Sequence, residues 1–272
     1  MPSFIFNCLF YIFTFLFAIF CVVLSFFPGR KPIMWGLKHY TKFIVTLMEE
    51  ILEIDIQVSG QENVPTDGPA IIASKHQSYG DGFLMFSQFN DLTFVAGDAI
   101  EKFWLIKRIL AKMGAVVLDN CGGAQSRERL SKNAKRVRKE GRLILIYPEG
   151  HLSKIGTQHR YRKGVFHMYQ EFGCPVIPAA TNLGQRWNQE DKIKYPGRAS
   201  LEFLKPIPPG LEKGEFMERL ETAIETRSKE LLDLENLGAL NPNDIGKTEE
   251  NDVAKAKRES REANESETGA VS

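Results

Sequence analysis

From Phe4 to Phe27 the chain is predominantly apolar: 24 residues, nine of them Phe, without one charged side chain. About 20 apolar residues are enough to cross a bilayer core as a helix. A cleaved leader would carry a basic residue ahead of the run and a small-x-small site behind it. Here nothing basic precedes Phe4, and the run ends Ser25-Phe26-Phe27-Pro28, so residues 1–31 are expected to remain as a transmembrane anchor. Arg30, Lys31, Lys38 and Lys42 follow the span. By the positive-inside tendency, the bulk of the chain should then lie on the cytoplasmic face after a single pass.

The pattern next turns periodic. Ile33, Leu37, Tyr40, Ile44, Leu47, Met48 and Ile51 recur at helical spacing, with Lys38 and Lys42 elsewhere. Residues 32–54 thus read as an amphipathic, membrane-proximal helix, either packed on the rest of the chain or lying at a lipid surface. From there short apolar runs alternate with helical patterns. Strands are expected at Asp55–Val58, Ala70–Ser74, Thr93–Ala96, Ala115–Leu118, Arg142–Tyr147, Val176–Ala179 and Ser200–Leu204. Helices are expected at Gly82–Gln88, Ala99–Met113, Gln125–Glu140, Val165–Phe172 and Lys213–Leu232. Such alternation predicts an α/β domain over residues 55–238, with a mostly buried mixed sheet flanked by helices. From about Leu240 the pattern ends. Residues 241–272 hold five basic and eight acidic side chains and no aromatic, so residues 239–272 are expected as a disordered, dispensable tail.

Composition narrows the function classes. A formal charge of +1 together with a membrane anchor disfavours nucleic acid. Cys8, Cys21, Cys121 and Cys174 show no Cys-x-x-Cys spacing, so neither a disulfide framework nor a zinc site is indicated. His76, His151, His159 and His167 lack metal-ligand spacing, and no Gly-rich nucleotide loop is present. The helix from Gln125 carries Arg127, Arg129, Lys132, Lys135, Arg136, Arg138 and Lys139. It reads either as a solvated face or as a contact for lipid headgroups, coenzyme A phosphates or an acidic carrier protein.

The candidate chemistry sits after the apolar run Ala70–Ala73, in Ser74-Lys75-His76-Gln77-Ser78-Tyr79-Gly80-Asp81-Gly82. A neutral imidazole can take a proton from a hydroxyl near pH 7, and a carboxylate on its other nitrogen fixes the tautomer and stabilises the cation. On one continuous helix, five residues would part the two side chains by ~140°. His76 and Asp81 can therefore meet only across a bend, which Ser78, Tyr79 and Gly80 can supply. Asp81 would then open the next helix, whose dipole keeps a carboxylate ionised.

Two further segments follow in order. Leu143–Gly150 is a buried strand entering a Pro148-Glu149-Gly150 turn, and Cys174–Ala180 is a short apolar strand bounded by prolines. With the His-x4-Asp stretch, these resemble the glycerolipid acyltransferases, the family of 1-acylglycerol-3-phosphate acyltransferase. The resemblance runs from about Ile51 to Leu232. Tyr161-Arg162-Lys163-Gly164-Val165, Thr181-Asn182-Leu183-Gly184 and Glu202–Ile207 look like the bacterial branch, which implies a bacterial inner membrane. The resemblance implies acyl transfer from a thioester, acyl-CoA or acyl carrier protein, to a lysolipid hydroxyl. No cofactor is implied. His76 would deprotonate the acceptor, which attacks the thioester directly, and Asp81 would orient His76. A backbone N–H near the His76 turn could hold the oxyanion. Glu149 and Gly150 would help bind the acceptor.

Departures from the family bear on that acceptor. A Lys commonly follows the strand matching Thr93–Ala96, where this chain has Gly97-Asp98; an Asp-Arg ending is replaced by Asp119-Asn120; and Thr-Arg after the Pro-Glu-Gly turn is replaced by His151-Leu152. Each is a place where a cation would meet phosphate, and Arg is not replaceable there by Asn or Leu. Either other cations serve, with Lys75, Arg160, Arg162 and Lys163 the candidates, or the acceptor is a phosphate-free lysolipid such as a lyso-aminolipid. A third reading, an inactive membrane-anchored lipid-binding or scaffold protein, has no need to keep both His76 and Asp81.

Overall fold

The computed structural model describes residues 1–97, 104–118, 124–189 and 192–249. Two long helices lead: α1 (Pro2–Ser25) and α2 (Lys31–Leu52). Seven strands follow, β1 (Ile54–Ser59), β2 (Ala70–Ser74), β3 (Leu92–Gly97), β4 (Val116–Leu118), β5 (Leu143–Ile146), β6 (Val176–Thr181) and β7 (Gly197–Phe203). Between and after them lie α3 (Asp81–Gln88), α4 (Trp104–Met113), α5 (Ala124–Glu140), α6 (Gly164–Phe172) and α7 (Lys213–Glu230). The α/β expectation holds. Each strand and helix lies within a few residues of its expected place, except that the start of the helix expected from Ala99, the side chains of Gln125–Arg127, and Asp98, Asp119, Asn120 and Cys121 fall outside the described residues.

The sheet order is β1-β7-β6-β2-β5-β3-β4. All neighbours are parallel except β6 and β7, which makes the sheet mixed and leaves β2 at its centre between β5 and β6. Strands buried on both faces need apolar side chains in both alternate sets, and β2 obeys. Ile71 and Ala73 join a core with residues of α5, α6 and α7, while Ala70 and Ile72 face α2 and α3. The last residue of β2 thus delivers the chain to the C-terminal edge of the sheet, where parallel α/β sheets place their sites.

The apolar leader packs on the domain along its length. Phe6 is buried against Trp187, with ring centroids 5.2 Å apart, and Phe17 stacks on Tyr40 of α2 at 4.2 Å. Its start is held where the Lys194 N–H donates to Ser3 Oγ (2.9 Å), its end where Arg108 Nε of α4 donates to Ser25 Oγ (3.1 Å). Both ends of α1 therefore touch the same domain. Its outer face exposes Phe4, Tyr11, Phe15 and Leu16, continued by Trp35 on α2 and Trp104 on α4. Among the described residues α1 is the one helix long and apolar enough to cross a membrane.

The expectation of a disordered tail from residue 239 needs correction. Residues 239–249 are laid against the loop 153–159, with Leu240 buried. Composition missed this because the segment is fixed by main-chain hydrogen bonds and one leucine, neither of which a polar average registers. Residues 250–272 are not among those described.

Candidate active site

β2 ends at Ser74, and the chain then turns tightly into α3. The turn brings His76 Nδ1 to 3.0 Å from Asp81 Oδ2. That oxygen also accepts the N–H groups of Gln77 and Ser78, each at 2.8 Å. Asp81 is the first residue of α3, as the dipole argument expects, and Ser78 shapes the turn by accepting the Gly80 N–H on its Oγ at 2.8 Å. Oδ2 therefore holds three donors that converge only while the bend is kept. With Nδ1 engaged, Nε2 is the nitrogen left to act. The imidazole is 21% exposed, against 3% for the carboxylate.

The ring is fixed by more than Asp81. Tyr147 stacks on it at 3.8 Å and 12° between planes. Burial, with the Asp81 charge adding, pushes the Tyr147 phenol well above its ordinary value, so the platform stays neutral. The backbone is clamped as well. The His76 N–H donates to Glu149 Oε1 (3.1 Å), and its carbonyl accepts the N–H (2.8 Å) and hydroxyl (3.0 Å) of Ser153. The N–H groups of residues 77, 78 and 80 are engaged inside this turn and that of His76 on Glu149, which removes all four as oxyanion donors.

Behind His76 lies a buried charge cluster. Lys75 Nζ is 3.0 Å from Glu149 Oε2 and 2.8 Å from Glu225 Oε1, and donates to the Thr157 carbonyl at 3.1 Å. Tyr161 donates its hydroxyl to Glu225 Oε1 at 2.9 Å. Burial alone would lower the Lys75 pKa, but the two carboxylates outweigh it and hold the ammonium above its ordinary value. Burial is also the largest influence on Glu225, and it pushes that carboxyl up despite Lys75. Breaking such a cluster by removing one member costs about 3–5 kcal/mol, because the remaining charge is left buried and unpaired. Glu225, 150 residues from Lys75 in sequence, carried no local signal that would have singled it out.

A cleft of about 550 Å³ opens beside His76, walled by Phe94–Gly97 of β3, by Tyr147, Pro148, Gly150 and His151, and by Arg162, Gly164 and Val165. The five residues expected around the acceptor separate here. Gly150 and Arg162 line the cleft. Glu149 is fully buried behind it, as a bracket for His76 and Lys75. Arg160 and Lys163 are exposed and lie outside the cleft lining. Lys75, the fourth candidate cation, is taken up by its two carboxylates. His151, which stands where the family commonly has Thr, lines the cleft, with Nδ1 3.0 Å from the Glu149 carbonyl. Gly150 has φ +75°, and a Cβ there would lie 2.4 Å from Arg162 Nε, so the glycine is what admits the guanidinium. Arg162 Nε is buried without a hydrogen-bond partner among the described residues, and no carboxylate among them pairs with this side chain. A groove of about 600 Å³ along α7 is lined by Glu218, Glu221, Glu225, Lys229 and Glu230, and His76 does not open onto it.

The chain is similar to known proteins. Residues 55–182 match the family model described as Acyltransferase. The chain is 29% identical over 179 residues to a 1-acyl-sn-glycerol-3-phosphate acyltransferase of Pseudomonas aeruginosa, covering 64% of this chain and 69% of that one. It is 26% identical over 209 residues to the protein of the same description from Saccharomyces cerevisiae, covering 72% and 69%. The crystal structure of the 1-acyl-sn-glycerophosphate (LPA) acyltransferase from Thermotoga maritima superposes with a TM-score of 0.69 at 20% identity, over 85% of this chain and 98% of that one.

Proposed function

We propose that this chain, an acyltransferase by its family, moves a fatty acyl group from a thioester to the free hydroxyl of lysophosphatidate and so makes phosphatidate. The 1-acyl-sn-glycerol-3-phosphate acyltransferases it resembles support the acceptor, and one structural observation carries the reading: Arg162, without an ion-pair partner among the described residues, faces the same cleft as His76, which Asp81 orients. The scaffold reading gives way to the enzymatic family.

In this mechanism the acceptor hydroxyl enters the cleft with its phosphate against Arg162, whose planar fork suits phosphate oxygens. His76 Nε2 takes the hydroxyl proton as the oxygen attacks the thioester carbon. Asp81 stays ionised, holds the Nδ1–H tautomer and stabilises the imidazolium. The tetrahedral intermediate then expels the thiolate of coenzyme A or of the carrier protein, and that sulfur recovers the proton from His76. The acceptor is itself the nucleophile, so no acyl-enzyme forms. The donor is a substrate, and no cofactor or metal is needed. The protein holds to the membrane through the apolar outer face of α1 and α2, with the domain on the cytoplasmic side. Arg30, Lys31, Lys38 and Lys42, which follow α1, suit the anionic headgroups of the cytoplasmic leaflet.

The phosphate-free alternative has one observation in its favour: Gly97 puts no cation in the cleft wall where the family commonly has one. Purified protein in detergent, given labelled acyl-CoA, decides between them. Lysophosphatidate should be the preferred acceptor, and Arg162→Ala should raise its KM about 10–100-fold, the value of one charged hydrogen bond, with kcat little changed. Preference for a phosphate-free lysolipid would reject lysophosphatidate as the substrate, and an unchanged KM in Arg162→Ala would remove Arg162 as its phosphate contact.

A further inference from the structure

The loop 153–159 lies between two layers. Its inner side holds three consecutive residues of the catalytic turn: Ser153 binds the His76 carbonyl twice, Thr157 O accepts Lys75 Nζ at 3.1 Å, and Lys154 O accepts Gln77 Nε2 at 3.3 Å. Its outer side is held by the C-terminal segment. Gly246 N–H donates to Gly156 O (2.8 Å), Gln158 N–H to Lys247 O (3.0 Å), and Glu249 N–H to Gln158 O (3.0 Å). Upstream, Ala239 N–H donates to Gln185 O at 2.9 Å. The fit at the crossing is close, since a Cβ on Gly156 would lie 3.1 Å from Ile245 Cα and 3.3 Å from Leu240 Cδ1.

The loop has little structure of its own. No helix or strand covers it, and its internal backbone pairing is a Thr157 N–H to Lys154 O contact at 3.3 Å. A loop so placed opens locally unless something outside holds it. A cavity of about 170 Å³ separates Asn241 and Asp244 from Gln77 and Lys154, so the segment grips the loop mainly at Leu240 and from Gly246 to Glu249.

We propose that Ala239–Glu249 is a positioning strap for the acyl-transfer site, holding the loop 153–159 against Lys75, His76 and Gln77. It rests on the reading of His76 as the base. No strap residue lines the His76 cleft, so the strap acts through position and leaves substrate contact to others. A misplacement near 1 Å can cost ~10² in rate. The strap's signature is therefore a fall in kcat with KM preserved.

The test is Gly246→Pro in the full chain. Gly246 has φ +76° and gives its N–H to Gly156 O; proline fixes φ near −65° and has no N–H, so the strap lifts without any change in the cleft. We expect kcat to fall at least about 10-fold, KM for acyl-CoA and lysophosphatidate to stay within about twofold, and amide exchange to quicken at Ser153 and residues 75–78. Lys247→Ala, which keeps the backbone bonds, should behave as wild type. Leu240→Ala is the milder lift should Gly246→Pro fail to accumulate folded, and it should give the same kcat-only loss. A normal kcat in the folded variant overturns the strap, as does a loss that appears equally in KM or tracks global unfolding in urea. Failure of the acyl-transfer reading would look different: the wild type would transfer acyl groups to no acceptor, whatever the exchange at Ser153 showed.

Discussion

Replacing Asp81 with Asn removes one charge and little else. An amide oxygen placed where Oδ2 now sits can still accept the N–H groups of Gln77 and Ser78, so the turn keeps its shape. The loss is the attraction between the carboxylate and the imidazolium that forms as His76 takes the acceptor's proton. At the observed 3.0 Å, two unit charges at an effective dielectric of about 20 attract by ~5.5 kcal/mol. With the proton about half transferred in the transition state, about half of that, ~2.8 kcal/mol, is lost, which is ~10² in kcat. If the amide instead turns its NH2 toward Nδ1, the ring is held in the wrong tautomer and the loss approaches ~10⁴. Asp81 is 4% exposed and does not line the cleft, so KM for both substrates should stay near wild type. Initial rates with labelled acyl-CoA over a range of acceptor concentrations give both constants, with His76→Ala as the reference for complete loss of the base. A kcat within about fivefold of wild type would show that the pair contributes too little for a base and its orienter.

Membrane attachment should depend on the outer face of α1. Phe15 is 67% and Ile19 48% exposed, and burying such a side chain in lipid is worth about 1.5–3 kcal/mol. Phe15→Glu with Ile19→Glu should lower the fraction bound to phospholipid vesicles by at least about 10² in partition coefficient; an unchanged flotation profile would place the membrane contact elsewhere. Acid should weaken the fold through His159. Burial first, then the neighbouring His151 and Lys75, hold its pKa below the ordinary value against Glu149 and Glu249. A depressed histidine favours the neutral form in the fold. Its stability is intact above the unfolded value and is lost as pH falls from about 6.5 toward the folded pKa. The raised carboxyl of Glu225 acts in the opposite direction, so the comparison is with His159→Gln. The urea midpoint of wild type should drop more than that of His159→Gln between pH 7.5 and 5.5 (experimental settings of about one unit either side of the ordinary histidine value). Parallel curves would remove His159 from the account.

The fold was legible because its strands are buried on both faces and so appear as unbroken apolar runs; Ala70–Ser74 needed no other clue. The His76–Asp81 pair was legible because both residues lie in one short turn, where spacing and bend chemistry determine whether they can meet. Charge was harder to read. Arg160, Arg162 and Lys163 are near neighbours in sequence, yet Arg162 alone of the three lines the cleft, a choice made by how the chain folds back over Gly150. Lys75 looked available to a phosphate until Glu225 arrived from a helix far along the chain. The strap escaped notice because main-chain hydrogen bonds leave no mark on side-chain composition.

The turn Pro148–Gly150 joins the two halves of the proposed chemistry. On its inner side Glu149 divides its two oxygens, Oε1 to the His76 N–H and Oε2 to Lys75, so it sets the base's backbone through a buried charge and not by touching the acceptor. On its outer side Gly150 leaves the space in which the Arg162 guanidinium lies, and the Arg162 N–H closes back on Pro148 O at 2.9 Å. The absence of a side chain at Gly97 and the Leu at position 152 then have a consequence for affinity. With the other candidate cations outside the cleft or already paired, the proposed reaction leaves the acceptor's phosphate to Arg162, and the distance from that guanidinium to His76 would then fix which hydroxyl of the lysolipid reaches Nε2. A change at the turn should therefore disturb base and phosphate together, whereas a change at Arg162 should disturb the phosphate alone.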